Sequence, residues 1–99
     1  FLQSRRNTSY LDTHLERQLK EKEFKIYFDR AEAKRKIAQK IAALRRAMHI
    51  TQIELAKEVG TRQQVISRLE NPTDTRMPSF DFLDRIARAF KKRLVISLE

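Results

Sequence analysis

Gly60, Pro72 and Pro78 are the only glycine and prolines in this chain of 99 residues, and they fall within one short window. A backbone with so few breakers is expected to be mostly helical, with its turns gathered there. Apolar spacing agrees. Ile37, Ile41, Leu44 and Met48 recur at helical intervals and mark a core-facing helix at about 34–48. Thr51-Gln52-Ile53-Glu54 is a capping box that starts a short helix. That helix runs to about Val59, and Gly60 ends it as the residue best suited to positive φ. A second short helix spans about Gln63 to Leu69, stopped by Asn71-Pro72. After a polar loop over 71–78, Ser79 caps a helix whose core face is Phe82, Leu83, Ile86, Ala87 and Phe90.

Lys and Arg number 22 against 13 acids, a net charge of +9, so an anionic partner is expected: nucleic acid, anionic membrane or acidic protein. With no cysteine, disulfides and thiolate metal sites are out, and a reducing compartment fits. His14 and His49 lack metal-ligand spacing, and there is no Gly-rich phosphate loop. No enzyme and no cofactor is expected. No apolar run approaches the roughly 20 residues that cross a bilayer, and the first residues do not read as a secretory signal. A cytoplasmic protein with no membrane partner follows.

The window 52–71 meets several demands at once. Two helices crossing steeply need a small residue where they approach (Ala56), a turn with positive φ (Gly60), and apolar residues beneath (Leu55, Val59, Ile66 and Leu69). The second helix then faces outward with Arg62, Gln63, Gln64, Ser67 and Arg68. An α-helix fits the major groove of B-DNA, where Gln and Arg pair bidentately with adenine and guanine edges.

Gly60-Thr61-Arg62-Gln63-Gln64, with Ile66 and Leu69-Glu70-Asn71, is similar to phage 434-type repressors. Over about residues 36–90 the chain resembles the lambda-repressor-like (Cro/C1, XRE) helix-turn-helix family. That resemblance implies an all-α, five-helix DNA-binding domain. It assigns Gln52 to a phosphate, Gln63 and Gln64 to bases, Arg68 to a base edge or phosphate, and Asn71 and Thr73 to the DNA backbone. Arg62 is a poor helix cap and opposes the helix dipole, which suggests a DNA contact there. Arg45 and Glu70 are implied to form a structural ion pair. Pro72 departs from the family, where Gly commonly follows the Glu-Asn pair, and leaves the path of 72–78 open.

Beyond this core the chain resembles HigA-type antitoxins, which repress their own operon and neutralise a RelE/HigB-like ribonuclease toxin. Three parts are expected: an N-terminal helical extension over 1–33, the DNA-binding domain over 34–91, and a C-terminal strand over 92–99. The Leu11, Leu15, Leu19 stripe, with Phe24, Tyr27 and Phe28, is a candidate toxin-docking surface, although Phe28 also suits the protein's own core. A stand-alone phage-type repressor, or a protein-interaction or coactivator module on the same fold, are the alternatives.

In the strand, Leu94, Ile96 and Leu98 alternate with Val95 and Ser97. A lone strand leaves its backbone groups unpaired. Antiparallel pairing of Leu94–Leu98 with a second copy would solve this. It would give a homodimer on palindromic double-stranded DNA, with half-sites about 10 bp apart or a multiple of it. The competing account is that Lys25-Ile26-Tyr27-Phe28 is extended and pairs with the strand within the same chain.

Overall fold

A computed structural model describes residues 20–28 and 32–98. In chain order the elements are β1 (Glu23–Phe28), α1 (Ala33–Ala47), α2 (Gln52–Val59), α3 (Gln63–Leu69), α4 (Phe80–Ala89) and β2 (Arg93–Leu98). Among the described residues there are thus four helices, where the resemblance implies five, and none is long and apolar enough to cross a membrane.

The expected local signals are present at the helix ends. Thr51 and Glu54 exchange both capping-box bonds: Glu54 N–H donates to Thr51 Oγ1 at 3.0 Å and Thr51 N–H to Glu54 Oε1 at 2.8 Å. Gly60 closes α2 at φ 82°, in the left-handed region. Ser79 accepts from Phe82 N–H at 3.0 Å and opens α4.

The first and last of these elements meet. β1 and β2 form a two-stranded parallel sheet, with Phe24 opposite Leu94 and Ile26 opposite Ile96. Parallel strands need a long crossover, and here the whole helical domain is that crossover. Two expectations are corrected. Residues 23–28 are a strand, not a helix, and β2 pairs within its own chain rather than being left to a second copy. Phe24 and Phe28 stand four apart, a spacing that a helix shares with the same face of a strand. Their period is set by Ile26, which is buried between them in sequence while Tyr27 is exposed.

One core unites everything. Phe24 and Ile26 pack with Ile37, Ile41, Leu44, Leu55, Ile66, Leu83, Ile86 and Phe90. β1 lies against α1, and β2 against α4. Phe24 is fully buried, which removes it from any docking surface. Residues 23–28 therefore belong to the same core as the helices, inside the stretch read from sequence as a separate extension. Polar ties fix the strand at its start. Arg93 N–H donates to the Lys22 carbonyl at 2.7 Å, and the Arg93 guanidinium pairs with Glu23 at 2.8 Å. Lys92 also donates to the Glu21 carbonyl. From α1, Lys40 donates to the Lys25 carbonyl at 2.7 Å and stands 5.1 Å from the Phe24 ring centre, a cation–π distance. Leu11, Leu15 and Leu19 lie outside the described residues.

Candidate nucleic-acid interface

α2 and α3 are held at a fixed angle by a small, dry contact. Ala56 is 3 % exposed, Leu55 and Ile66 are fully buried, and Leu69 is 5 % exposed. Gly60 N–H and Thr61 N–H both donate to the Ala56 carbonyl, at 2.9 and 2.8 Å. This turn satisfies the end of α2 and releases the chain directly into α3. Arg62 takes the N-cap position with extended backbone and makes no side-chain cap bond. Arg62, Gln63, Gln64, Ser67 and Arg68 are all exposed, as are Asn71 and Thr73 beyond the helix.

Beneath α3 lies a line of polar contacts leading into the core. Arg45 on α1 grips Glu70 with two bonds, Nε to Oε2 at 2.7 Å and Nη2 to Oε1 at 3.0 Å. The two side chains are only 12 % and 4 % exposed. The remaining Arg45 nitrogen, Nη1, donates to the Ile50 carbonyl at 2.9 Å. The hydrogen bond to Glu70 raises the Arg45 pKa above its usual value, keeping the guanidinium charged despite its burial. Gln52 then donates from Nε2 to Glu70 Oε1 at 3.0 Å, and its Oε1 accepts from Gln63 Nε2 at 2.9 Å. The chain Arg45–Glu70–Gln52–Gln63 thus runs from a buried ion pair to the exposed start of α3. Sequence reasoning placed Gln52 beside a phosphate. In the structure both atoms of its amide head are engaged within the protein.

The chain belongs to the helix-turn-helix family. The match to the family described as helix-turn-helix covers residues 41–96, more than half of the chain. Its helix-turn-helix elements are α2, the Gly60 turn and α3. Two strains of Mycobacterium tuberculosis (CDC 1551 / Oshkosh and H37Rv) carry relatives named Antitoxin HigA1. Each is 38 % identical over 77 residues, covering 77 % of this chain and 50 % of the relative. The chain therefore spans about half the length of these curated relatives. No solved structure matches it significantly.

The loop that follows the helix-turn-helix was open in sequence and is well defined in structure. Asn71 Oδ1 accepts from Thr73 N–H at 3.0 Å and from Thr73 Oγ1 at 2.8 Å, an Asx turn. Arg76 pairs with Asp74 at 2.7 Å, and that guanidinium holds the Asp74 carboxyl well below the usual carboxylate range. An open groove of about 420 Å³ lies between α3, this loop and α4, with Lys34, Arg68, Leu69, Met77, Phe82 and Arg85 among its lining residues. Sequence reasoning did not single out Lys34, which is followed by Arg35 and Lys36. The latter two are exposed, but Lys34 is 8 % exposed and turns toward this loop. Its helical phase carried the signal: Lys34 precedes Ile37, Ala38 and Ile41 on the buried stripe.

Tyr27 is 43 % exposed on the outer side of β1, whereas Phe28 is half-buried. Along β2, Leu94, Val95 and Ser97 are half-buried and Ile96 is 37 % exposed.

Proposed function

We propose that this protein is a sequence-specific DNA-binding transcriptional repressor and the antitoxin of a toxin–antitoxin pair. The DNA-binding part rests on one observation above the others. α3 presents Gln63, Gln64, Ser67 and Arg68 on a single exposed face, and a buried ion pair braces that helix from below. Side-chain amides displayed on an exposed helix are what reading base edges in the major groove requires. Arg62 and Arg68, with Asn71 and Thr73 beyond the helix, would contact the DNA backbone.

The antitoxin part is supported by the likeness to Antitoxin HigA1 of Mycobacterium tuberculosis. A RelE/HigB-like ribonuclease is the proposed partner, docking on the segment that carries Leu11, Leu15 and Leu19 together with the exposed ring of Tyr27. Repression of its own operon would follow from binding a palindromic operator as a homodimer. The outer edge of β2, unpaired in the two-stranded sheet of the described residues, supports a contact with the same strand of a second copy.

Selection of duplexes from a randomised pool tests the first part. The wild-type chain should enrich a palindrome, and a chain bearing Gln63→Ala and Gln64→Ala should not. Equal enrichment by both proteins would defeat the reading of α3. Co-expression with a neighbouring small basic gene product tests the second part: restored growth is the expected result, and unrelieved toxicity would remove the antitoxin assignment.

A further inference from the structure

Lys34 sits in the first turn of α1, one helix away from the DNA-facing side, yet its ammonium is directed at the end of α3. It donates to three backbone carbonyls: Arg68 at 3.3 Å, Asn71 at 3.0 Å and Asp74 at 2.8 Å. An ammonium has three N–H donors, so its full capacity is used on this one turn of chain. Arg68 lies in the last turn of α3, where its carbonyl also accepts from Asn71 N–H at 3.2 Å and the negative end of the dipole favours a cation. Asn71 and Asp74 are the two residues whose side chains shape the following loop, through the Asx turn to Thr73 and the pair with Arg76. A single buried cation therefore ties the end of α3 to the loop after it, and ties both to α1.

We infer that Lys34 is a positioning residue for DNA reading, which fixes the height at which Arg68, Asn71 and Thr73 meet the DNA backbone. This rests on the reading of α3 as the DNA-binding helix. The ammonium itself touches no DNA, because its donors are spent within the protein and it is almost wholly covered. Its influence is geometric. Without it the Arg68 and Asn71 carbonyls keep only their backbone partners, the N–H groups of Asn71 and Asp74, the tie from this loop to α1 is lost, and the groups that must meet the duplex in register lose their common support. The lysine stem packs in line with Ile37 and Ile41, so Lys34→Met removes the ammonium while keeping most of the apolar packing.

The experiment compares wild type and Lys34→Met on two DNAs, a duplex enriched by the wild-type chain from a randomised pool and a scrambled duplex of equal length. Affinity is measured across a salt series, and folding is checked by circular dichroism. Affinity of Lys34→Met for the enriched duplex should fall about tenfold, the scale of losing one charge-assisted hydrogen bond. The salt slope on that duplex should shrink by about 0.9 for each phosphate that the variant no longer neutralises. Affinity for the scrambled duplex should fall less, since non-specific binding draws on the same backbone charges without a fixed register. A loss of stability alone would not alter the slope of the folded protein. Lys34→Gln, which keeps a shorter uncharged donor, is measured alongside and carries the test if the Met variant does not fold. A folded variant that binds the enriched duplex with wild-type affinity and slope overturns the inference. A wild-type chain that fails to distinguish the two duplexes overturns the DNA-reading proposal first, and this inference with it.

Discussion

Gln63 donates its side-chain amide to Gln52 at 2.9 Å, so the first side chain of α3 is oriented before any DNA arrives. Gln52 is anchored in turn by Glu70 at 3.0 Å. A residue read from sequence as a phosphate contact, whose loss would weaken all sequences alike, is thus coupled to a side chain proposed to read bases. Gln52→Ala should reduce discrimination at the base pair that Gln63 is proposed to read. A double-mutant cycle with Gln63→Ala on the enriched duplex should give a coupling energy of about 0.5–3 kcal/mol, the range for residues in one network. Strict additivity would mean that the two amides act separately.

Gln64 stands beside Gln63 on the exposed side of α3. Gln64→Ala should lose about 1–3 kcal/mol of discrimination at one base pair, the worth of a bidentate amide contact. Competition binding with single-base operator variants reads this directly. A substituted protein with an unchanged preference profile would exclude Gln64 from reading.

Arg45 and Glu70 are both largely covered, at 12 % and 4 % exposure. Removing one partner leaves a charge stranded. Arg45→Met should therefore cost about 3–5 kcal/mol in urea unfolding, the range for breaking a buried pair. A cost near that of surface pairs, below about 1 kcal/mol, would show that water reaches the site freely.

β1 belongs to the core, so the beginning of the chain cannot be removed without consequence. Phe24 is fully buried, and Phe24→Ala should destabilise by about 3–5 kcal/mol, as truncations of buried aromatics do. Deleting residues 1–28 should lower the thermal midpoint sharply and impair DNA binding together with any toxin binding. Undiminished thermal stability of the deleted chain would mean that the sheet contributes nothing.

Glu54 carries the acid dependence of α2. Its pKa is lowered, first by the backbone hydrogen bond from Thr51 and then by the Thr51 side chain. A carboxylate depressed in the folded state contributes stability above its unfolded pKa and loses that contribution as pH falls through its folded value. Thermal midpoints should therefore decline on acidification below the ordinary glutamate range, about pH 4.3. Glu54→Gln, which keeps an acceptor for Thr51 N–H without the titrating group, should flatten that decline. An identical acid limb in both proteins would locate the effect elsewhere.

Local chemistry made much of the molecule legible. Thr51 with Glu54, Gly60 and Ser79 announce helix ends through interactions spanning only a few residues, and those ends stand where the sequence puts them. The exposed row on α3 was legible for the same reason, since helical phase alone separates Ile66 and Leu69 from Gln63, Gln64 and Ser67. The Arg45–Glu70 contact, 25 residues apart, came from the family resemblance and not from periodicity.

Other features depended on what lies across the fold. The β1 segment has apolar spacing that suits either a helix or a strand, and the outcome was decided by β2, whose backbone groups needed a partner some 70 residues away. Lys34 reads as one more surface cation until the end of α3 brings three carbonyls around it. By itself the sequence determined the helices, their caps and the exposed α3 face, because each depends on neighbours within about one or two turns. Only the tertiary structure decided the parallel sheet, the Gln52–Gln63 relay and the Lys34 clamp. Each joins polar groups that become neighbours only once the core has formed.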